Sequence, residues 1–302
     1  NNVVTSAGQD LIKIDNLLKA SPIITGNTFK FNEIDSSNLI TLIHTVDRID
    51  FINNSFVSNT LIGNGKSVEG GGIGLFVKKS TDTANRLYFI NCSFDENKNN
   101  YADSNSNEGG ALHLGSSPST ELIIQKCQFK GNSCQQGRGA AISTTTKADV
   151  TIEDCTFEKN VAKTEGNVLY ISKDSTTEVK LSIKRCNFID NGDNQKSMIS
   201  GSCVGLEFDA CQVKYTNKAK ASQAISLSVK GAVTLSNTDF TNCSTSSDSS
   251  VLFTQQKADS TVTISKCNFL NCKAKSFVAQ ITNGKSVVTG CAFTFDTNDE
   301  NS

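Results

Sequence analysis

The sequence has no tryptophan, one methionine, two prolines and two histidines among its 302 residues. It contains no CxxC pair, and His44 and His113 are far apart, so neither a metal site nor another cofactor is predicted. No apolar run of about 18 residues occurs, which argues against a membrane-spanning helix. Residues Asn1 to Ser6 lack a basic stretch followed by an apolar one, so a signal peptide is expected to be absent or already removed.

The charge balance is close to neutral, with a formal net charge of -1 and a pI of about 6.2. This balance argues against nucleic acid or an anionic membrane as the main partner. Eleven cysteines are many for a chain of this length. They would suit disulfides in a secreted protein or a metal site in a cytosolic one, and their odd number leaves at least one unpaired within the chain.

One repeat runs through nearly the whole sequence. Each copy has a short strand of alternating apolar residues, two spacers, Cys-x-Phe, two more residues and an Asn, as in VTIEDCTFEKN ending at Asn160. The period of two and the β-branched residues indicate strands rather than helices. The aromatic position recurs every 24 to 38 residues, at Phe29, Phe56, Phe94, Phe129, Phe157, Phe188, Val213, Phe240, Phe269 and Phe293.

A second strand lies between successive aromatic positions, for example GGALHLG at 109–115 and GAAIST at 139–144. The positions of Leu112 and Leu114 stay mostly apolar in the other copies and are predicted to face inward. The alternate position has mixed chemistry and is predicted to face outward, which makes His113 an ordinary surface histidine. The members of this outward position are Gly74, His113, Ser143, Tyr170, Ser226, Phe253 and Gln280.

These units predict an all-β fold, a right-handed parallel β-helix of about ten rungs, because no unit can bury its apolar face alone. Stacking the units about 4.8 Å apart would give a continuous core and a rod about 48 Å long. The solenoid is predicted to cover residues 23–296, after an N-terminal cap or assembly segment at 1–22 and before a polar tail at 297–302. A sandwich or a propeller is the alternative, although hairpin-turn signals are sparse.

The segment 6–20 differs from the repeats. Ser6 stands where a helix N-cap would, and four apolar residues share one helical stripe. A helix or irregular plug here would cover strand edges at the N-terminal end that otherwise invite aggregation. The stripe comprises Leu11, Ile14, Leu17 and Leu18.

The pairing of GGALHL or GAAIST with CxFxxN resembles the GGA[IL] and FxxN repeats of chlamydial polymorphic outer membrane proteins and of similar protist surface proteins. The resemblance covers residues 23–296 and rests on five FxxN motifs in register. It implies a β-helical domain exposed at the cell surface, with adhesion as the usual role. The five motifs are Phe56–Asn59, Phe94–Asn97, Phe129–Asn132, Phe157–Asn160 and Phe188–Asn191.

The asparagines and cysteines of the repeat are predicted to form structural ladders. Stacked Asn side chains at a turn can satisfy backbone groups and one another, as expected for Asn97, Asn132, Asn160 and Asn191. The repeat cysteines are predicted to be small buried side chains, with disulfides between rungs as the alternative, since the strand spacing lies within disulfide range. They are Cys92, Cys127, Cys155, Cys186, Cys211, Cys267 and Cys291.

Two kinds of covalent modification are also expected. Cys243 and Cys272 replace the ladder asparagine on adjacent rungs and are predicted to form a disulfide. Three N-x-[ST] triplets, at Asn53, Asn91 and Asn242, become glycosylation candidates if the protein follows a eukaryotic secretory route. At least one of these asparagines is expected to carry a glycan, which a mass shift on enzymatic deglycosylation would reveal.

Three functions are compatible with these features. A filament subunit would join rods end to end through a non-closing contact with itself. A surface adhesin would use side loops such as 60–69 and 98–108 to bind a cell-surface receptor or glycan. A polysaccharide lyase or hydrolase would need converging carboxylates or a basic residue beside a Ca²⁺ site, and the Asn237-Thr238-Asp239 triplet lacks such partners. The first two functions are favoured, and both imply a secreted, non-catalytic protein located outside the cell or on its surface.

Overall fold

The computed structural model describes residues 12–15, 21–35, 39–43, 48–62, 75–78, 85–100, 108–115, 120–144, 149–173, 179–192, 196–217, 221–246, 249–255 and 259–295. Within these residues every regular element is a strand and no helix occurs. The described strands form three sheets of ten strands each and a fourth of five strands. Within each sheet the strands are parallel and follow one another in sequence order. The predicted fold class, a parallel β-helix, is confirmed.

The chain contributes one strand to each of the three ten-stranded sheets in turn before it returns to the first sheet, and one such turn is called a coil below. The first five coils also contribute one strand each to the fourth sheet. Each strand pairs in parallel with the equivalent strand of the coil before and after it, as between Phe94 and Phe129. Hydrogen bonds within the sheets therefore join residues that are distant in sequence. The repeat length, rather than any local turn, sets which residues are neighbours.

The first and second sheets have the longest strands. The first sheet contains β1 (Ile12–Asp15), β5 (Ile40–Ile43), β9 (Leu75–Lys78), β13 (Leu112–Gly115), β17 (Ile142–Thr144), β21 (Leu169–Ile171), β24 (Ile199–Cys203), β27 (Ile225–Val229), β30 (Ser249–Gln255) and β33 (Phe277–Thr282). The second contains β2 (Ile23–Thr25), β6 (Arg48–Ile52), β10 (Asn85–Ile90), β14 (Thr120–Gln125), β18 (Val150–Glu153), β22 (Lys180–Lys184), β25 (Gly205–Asp209), β28 (Val233–Ser236), β31 (Thr261–Ser265) and β34 (Lys285–Thr289).

The third and fourth sheets are built from short strands that follow the repeat cysteine and the repeat asparagine. The third contains β3 (Thr28–Lys30), β7 (Ser55–Val57), β11 (Ser93–Asp95), β15 (Gln128–Lys130), β19 (Thr156–Glu158), β23 (Asn187–Ile189), β26 (Gln212–Lys214), β29 (Asp239–Thr241), β32 (Asn268–Leu270) and β35 (Ala292–Thr294). The fourth contains β4 (Glu33–Asp35), β8 (Thr60–Ile62), β12 (Lys98–Asn99), β16 (Ser133–Cys134) and β20 (Val161–Ala162).

The core follows from the period of two along the strands. In β22, Leu181 and Ile183 are buried while Ser182 between them faces away. In each strand of the third sheet the central residue lies in an inward column, and this residue is a phenylalanine in every coil except the one with Val213. Stacked coils thus bury a continuous apolar interior that no single coil could form.

Single residues in the left-handed conformation turn the corner between the second and third sheets. Lys126 and Asp154 have φ of 54° and 55° there, and both extend the ladder through their N–H groups. Left-handed backbone is unfavourable for residues other than glycine, so the repeated hydrogen bonds must hold it in place. The residues at this corner are Gly26, Asn53, Asn91, Lys126, Asp154, Arg185, Ala210, Asn237, Lys266 and Gly290.

The outward face of the first sheet is buried in its middle strands, contrary to prediction. All three residues of β17 are buried, and His113 of β13 is only 5% exposed. The segments before β13, β17 and β21 fold back over this face: a Cβ on Gly109 would lie 2.7 Å from the Cβ of His113. His113 is therefore not a surface histidine.

Two further predictions are corrected by the strand register. Phe253, predicted to face outward, pairs with Leu227 and is fully buried, because β30 is apolar at successive positions and the ladder alone sets its register. Within the predicted helical cap, Ile12–Asp15 is a strand paired with Ile40–Ile43. Its alternating isoleucines fit the open edge of β5 better than a helix would. The rest of the cap, Gly74 and the tail 297–302 lie outside the described residues.

Candidate functional site

The aromatic residues of the third sheet form a column of stacked rings. From Phe29 to Phe188, successive ring centroids lie 4.6 to 5.1 Å apart with planes within 10° of parallel. Val213 interrupts the column. There Phe208 of the second sheet fills the space, 5.8 Å from Phe188 and 6.4 Å from Phe240. The core thus keeps its volume although the aromatic position is lost.

Six buried asparagines form a second column at the corner after the aromatic strand. The Oδ1 of Asn132 accepts hydrogen bonds from the backbone N–H and the side chain of Asn97, both at 3.0 Å. Its Nδ2 donates to the carbonyl of Phe94 and to Oδ1 of Asn160, both at 2.9 Å. The amide is thereby fully paired, which makes its burial tolerable. The column comprises Asn32, Asn59, Asn97, Asn132, Asn160 and Asn191.

The repeat cysteines form a third column, two residues before the aromatic position. The Sγ atoms of Cys127 and Cys155 accept the backbone N–H of the preceding coil at 3.3 and 3.4 Å. Oxygen atoms take this role elsewhere in the column. Asn54 Oδ1 accepts the backbone N–H of Asn27 at 3.0 Å, and Thr238 Oγ1 accepts the backbone N–H of Cys211 at 3.3 Å. A side-chain acceptor at this corner is therefore the common requirement, and cysteine is one way to meet it.

None of the eleven cysteines, all within the described residues, forms a disulfide in the structure. Neighbouring thiols of the column are nevertheless in contact. The proximity of the Cys127 and Cys186 thiols raises the pKa of Cys155, and the pKa of each of those two neighbours is lowered. The S–H of Cys155 donates to the main-chain carbonyl of Glu153 at 3.0 Å. Cys243 and Cys272 also lie thiol to thiol on adjacent coils, and burial raises the pKa of Cys243. The disulfide between this last pair stays a prediction.

The three sequon asparagines lie at left-handed corners. Asn53 and Asn91 are exposed and stacked on adjacent coils, with Asn91 Nδ2 donating to Asn53 Oδ1 at 2.7 Å. Asn242 is half-buried, and its Nδ2 donates to a main-chain carbonyl at 2.7 Å. The first two are therefore more open to attachment of a glycan, and glycosylation itself stays a prediction.

A buried polar cluster lies on the outward face of the first sheet. His113 Nδ1 is 2.6 Å from Ser143 Oγ and 3.8 Å from Glu108 Oε2. Both contacts fall on the same ring nitrogen, so His113 cannot pass a proton between the other two as in a Ser-His-acid triad. Ser143 is also fully buried. The cluster resembles a hydrolase site in composition but not in geometry.

Burial sets the ionisation of this cluster. It raises the pKa of Glu108 to about 7 and lowers the pKa of His113 to about 4. Arg138 partly opposes the shift at Glu108. Among the described residues, Oε2 of Glu108 has no hydrogen-bond partner. Both side chains are therefore neutral in mildly acidic solution.

A column of alternating charge lies beside this cluster and was not predicted. Glu108, Arg138 and Glu165 follow one another on adjacent coils. The Arg138 guanidinium lies 4.9 Å from the ring centroid of Tyr170 and donates to its hydroxyl at 2.9 Å. Glu165 Oε2 accepts from Lys173 at 2.7 Å. The signal in the sequence is the alternating charge of the residue before each repeated glycine.

The Asn237-Thr238-Asp239 triplet serves contacts between coils. Asn237 Nδ2 donates to Asp209 at 2.7 Å, and Asp239 accepts from Asn268 at the same distance. Thr238 occupies the cysteine column. The triplet is therefore a part of the repeat.

The remaining predicted positions lie outside the described residues, namely His44 and much of the loops 60–69 and 98–108. In the part of the chain that the structure describes, no group of three or more His, Cys, Asp and Glu side chains could hold a metal ion. No helix there is long and apolar enough to cross a membrane. Searches against protein-family models, curated proteins and solved structures gave no match.

Proposed function

We propose that this protein is a non-catalytic, extracellular structural protein whose rods join end to end into filaments. The observation that carries the proposal is where apolar side chains are exposed. Among the described residues, large exposed apolar side chains occur only on the first coil and the last two. They are Ile23, Phe31, Leu270, Val287, Val288, Phe293 and Phe295.

The exposure at the last coil arises from an uncovered core. Val288 pairs with Ile264 and Phe293 pairs with Phe269, and both partners are buried. Val288 and Phe293 are nevertheless 52% and 49% exposed, because no described strand covers their other side. A further apolar layer with strand edges is the kind of partner that would bury them.

The first coil presents strands in the matching orientation, with Ile23 and Phe31 exposed and the inward Phe29 buried. The terminal strands β1, β2 and β3 belong to the same three sheets as β33, β34 and β35 at the other end. Because all strands run parallel, the two ends can pair in register only head to tail. A head-to-tail contact does not close on itself, so it propagates into a fibre.

Electron microscopy of native protein tests the proposal with two adjacent substitutions. Val288 lies in an inward column, whereas Val287 faces the side of the rod, and both are about half exposed. We expect filaments from the unmodified protein and from Val287→Lys, and short rods from Val288→Lys, because a buried lysine would oppose end contact. Each variant is first checked for an unchanged β-sheet spectrum.

Isolated short rods from the unmodified protein would overturn the filament proposal. That outcome would favour an adhesive surface protein, the role that the resemblance to polymorphic outer membrane proteins implies. The exposed sequons at Asn53 and Asn91 support a secreted location for either role. Material purified from culture medium and from cells would distinguish a secreted protein from an internal one.

A further inference from the structure

We infer that five stacked cysteines form a reversible redox site in which disulfides between neighbouring coils shift along the column. The site is in the middle of the rod and does not involve the end contact. It comprises Cys92, Cys127, Cys155, Cys186 and Cys211.

The five thiols form an unbroken series of contacts. Each thiol lies close enough to the next to shift its pKa. The backbone N–H groups of Cys92 and Cys127 donate to the Sγ atoms of Cys127 and Cys155, at 3.3 and 3.4 Å. The strands that flank each cysteine pair in register, as Ile90 with Gln125 and Ser93 with Gln128 around the first two cysteines. Neighbouring Cα atoms of such strands lie about 4.8 Å apart, within the range that a disulfide spans.

The series is closed at both ends. Asn54 occupies the same column position on the preceding coil, and Thr238 occupies it on the following one. Neither side chain can form a disulfide. Cys267 and Cys291, which also contact each other, are separated from the five by Thr238. The five cysteines therefore act as one set.

Five members in a line permit at most two disulfides between neighbours and leave one thiol. When two disulfides are present, the remaining thiol must be the first, third or fifth member. If the second or fourth cysteine were the free one, the cysteine at that end of the column would have no neighbour to pair with. The remaining thiol is therefore Cys92, Cys155 or Cys211, and not Cys127 or Cys186. This rule follows from the geometry of the column alone.

Oxidation by a small-molecule disulfide proceeds by two exchanges. A column thiolate attacks the small disulfide, forms a mixed disulfide and expels one small thiolate. The neighbouring thiolate then attacks the column sulfur and expels the second. Two column thiols are oxidised, the small disulfide is reduced to two thiols, and the two protons pass to the expelled thiolates.

Shifting requires no further oxidant. The thiolate of Cys92 can attack the Sγ of Cys127 in a Cys127–Cys155 disulfide. A Cys92–Cys127 bond forms, and Cys155 leaves as a thiolate. That thiolate can in turn attack the Sγ of Cys186 in a Cys186–Cys211 disulfide, which forms a Cys155–Cys186 bond and releases Cys211 as a thiolate. The attacking sulfur, the disulfide bond and the leaving sulfur all lie along the column, which is the in-line arrangement that exchange needs.

Disulfide mapping tests the site directly. Folded protein is incubated with oxidised glutathione, remaining thiols are alkylated, and the linkages are read by mass spectrometry. We expect loss of four of the five column thiols, with the alkylated one at Cys92, Cys155 or Cys211. Alkylation at Cys127 or Cys186 in doubly oxidised protein, or five thiols that resist oxidation until the protein is unfolded, would overturn the inference.

Two end variants test the shift. Serine keeps a hydroxyl acceptor for the backbone, as Thr238 does, so both variants should fold. Cys92→Ser should give the pairs 127–155 and 186–211, whereas Cys211→Ser should give 92–127 and 155–186. Identical linkages in the two variants would show fixed disulfides and refute shifting. Circular dichroism of each variant verifies that the fold is intact.

Discussion

At the scale of single residues, the solenoid depends on side chains that supply a hydrogen-bond partner to the next coil. Asn54, Cys127 and Thr238 differ in chemistry, yet each accepts the backbone N–H of the coil before it. Position in the column matters more than residue type. The asparagine column is the more demanding one, because Oδ1 of each amide accepts hydrogen bonds and Nδ2 donates them.

Asn132 illustrates that demand. Replacement by alanine would leave the N–H of Asn97 and the carbonyl of Phe94 buried without their partner. We expect Asn132→Ala to lower the free energy of unfolding by about 3 kcal/mol or more, since each abandoned buried group costs about 1 to 3 kcal/mol. Urea unfolding measures the change. Asn187→Ala, at an exposed position, is the control and should change the free energy by less than about 0.5 kcal/mol.

Ala210 shows the opposite situation, a residue strained by its conformation. Its φ is 53° at an exposed corner, where glycine would fit without steric penalty. We expect Ala210→Gly to stabilise the protein by about 0.5 to 1 kcal/mol. Ala232 is also exposed but has no positive φ, so Ala232→Gly should destabilise by about the same amount in thermal or urea unfolding. Equal losses in both variants would contradict this explanation of the corner.

At the scale of elements, the first sheet differs from the other two long sheets because both of its faces are buried in the middle strands. The segments before β13 and β17 fold over it and enclose Glu108 and His113. Polar groups enclosed in this way titrate at unusual pH, and their effects on stability have opposite signs. The pKa of Glu108 is raised, whereas the pKa of His113 is lowered.

Glu108 should therefore make stability fall as pH rises. Its pKa is about 7 in the folded protein against an ordinary 4.5, so its contribution is full below pH 4.5 and lost as pH rises through 7. We expect Glu108→Gln to be more stable than the unmodified protein by up to about 3 kcal/mol at pH 8.5 and similar to it at pH 4.5. Urea unfolding at both pH values measures this difference.

His113 is present in both proteins of that comparison, so its own effect cancels. Alone, its lowered pKa makes stability fall as pH decreases from 6.5 through 4. Glu207→Gln, at an exposed carboxylate, is the control for a substitution without burial. If Glu108→Gln were less stable than the unmodified protein at pH 8.5, the buried carboxylate would have a partner that the described structure does not show.

At the scale of the whole molecule, each described strand pairs only with the equivalent strands of the coils before and after it. Stability is then close to a sum of contributions from single coils and the interfaces between them. The aromatic column joins nearly all of these interfaces. A substitution in its middle should therefore weaken two interfaces, and one at its end should weaken a single interface that is already partly open.

Phe157 and Phe293 provide the matched pair. Phe157 is fully buried, with rings on both sides at 4.9 and 5.1 Å, whereas Phe293 is 49% exposed and stacks on one ring. We expect Phe157→Ala to cost about 3 to 5 kcal/mol and Phe293→Ala about 1 kcal/mol. In Phe157→Ala, hydrogen exchange measured during unfolding should show that the coils before and after Phe157 unfold in separate transitions. Equal losses in the two variants would argue against coupling between neighbouring coils only.

The sequence by itself determined the repeat, its strands and the stacked positions. A period of two with one aromatic per copy leaves stacking in parallel as the way to bury every apolar face, so the register of Phe94 over Phe129 could be read directly. The cysteine and asparagine columns follow from the same register, because residues at equal distance from the aromatic must lie on top of one another.

Only the tertiary structure decided which segments cover each face of the sheets. It also decided which side chains fill the space where a repeat position is lost. The burial of His113 depends on a segment folding back over the sheet, and the inward position of Phe253 depends on its partner strand. Phe208 fills the gap beside Val213 from a different sheet, which no pattern within one strand could reveal. Periodicity assigns a residue to one side of a strand, but its burial depends on packing by elements distant in sequence.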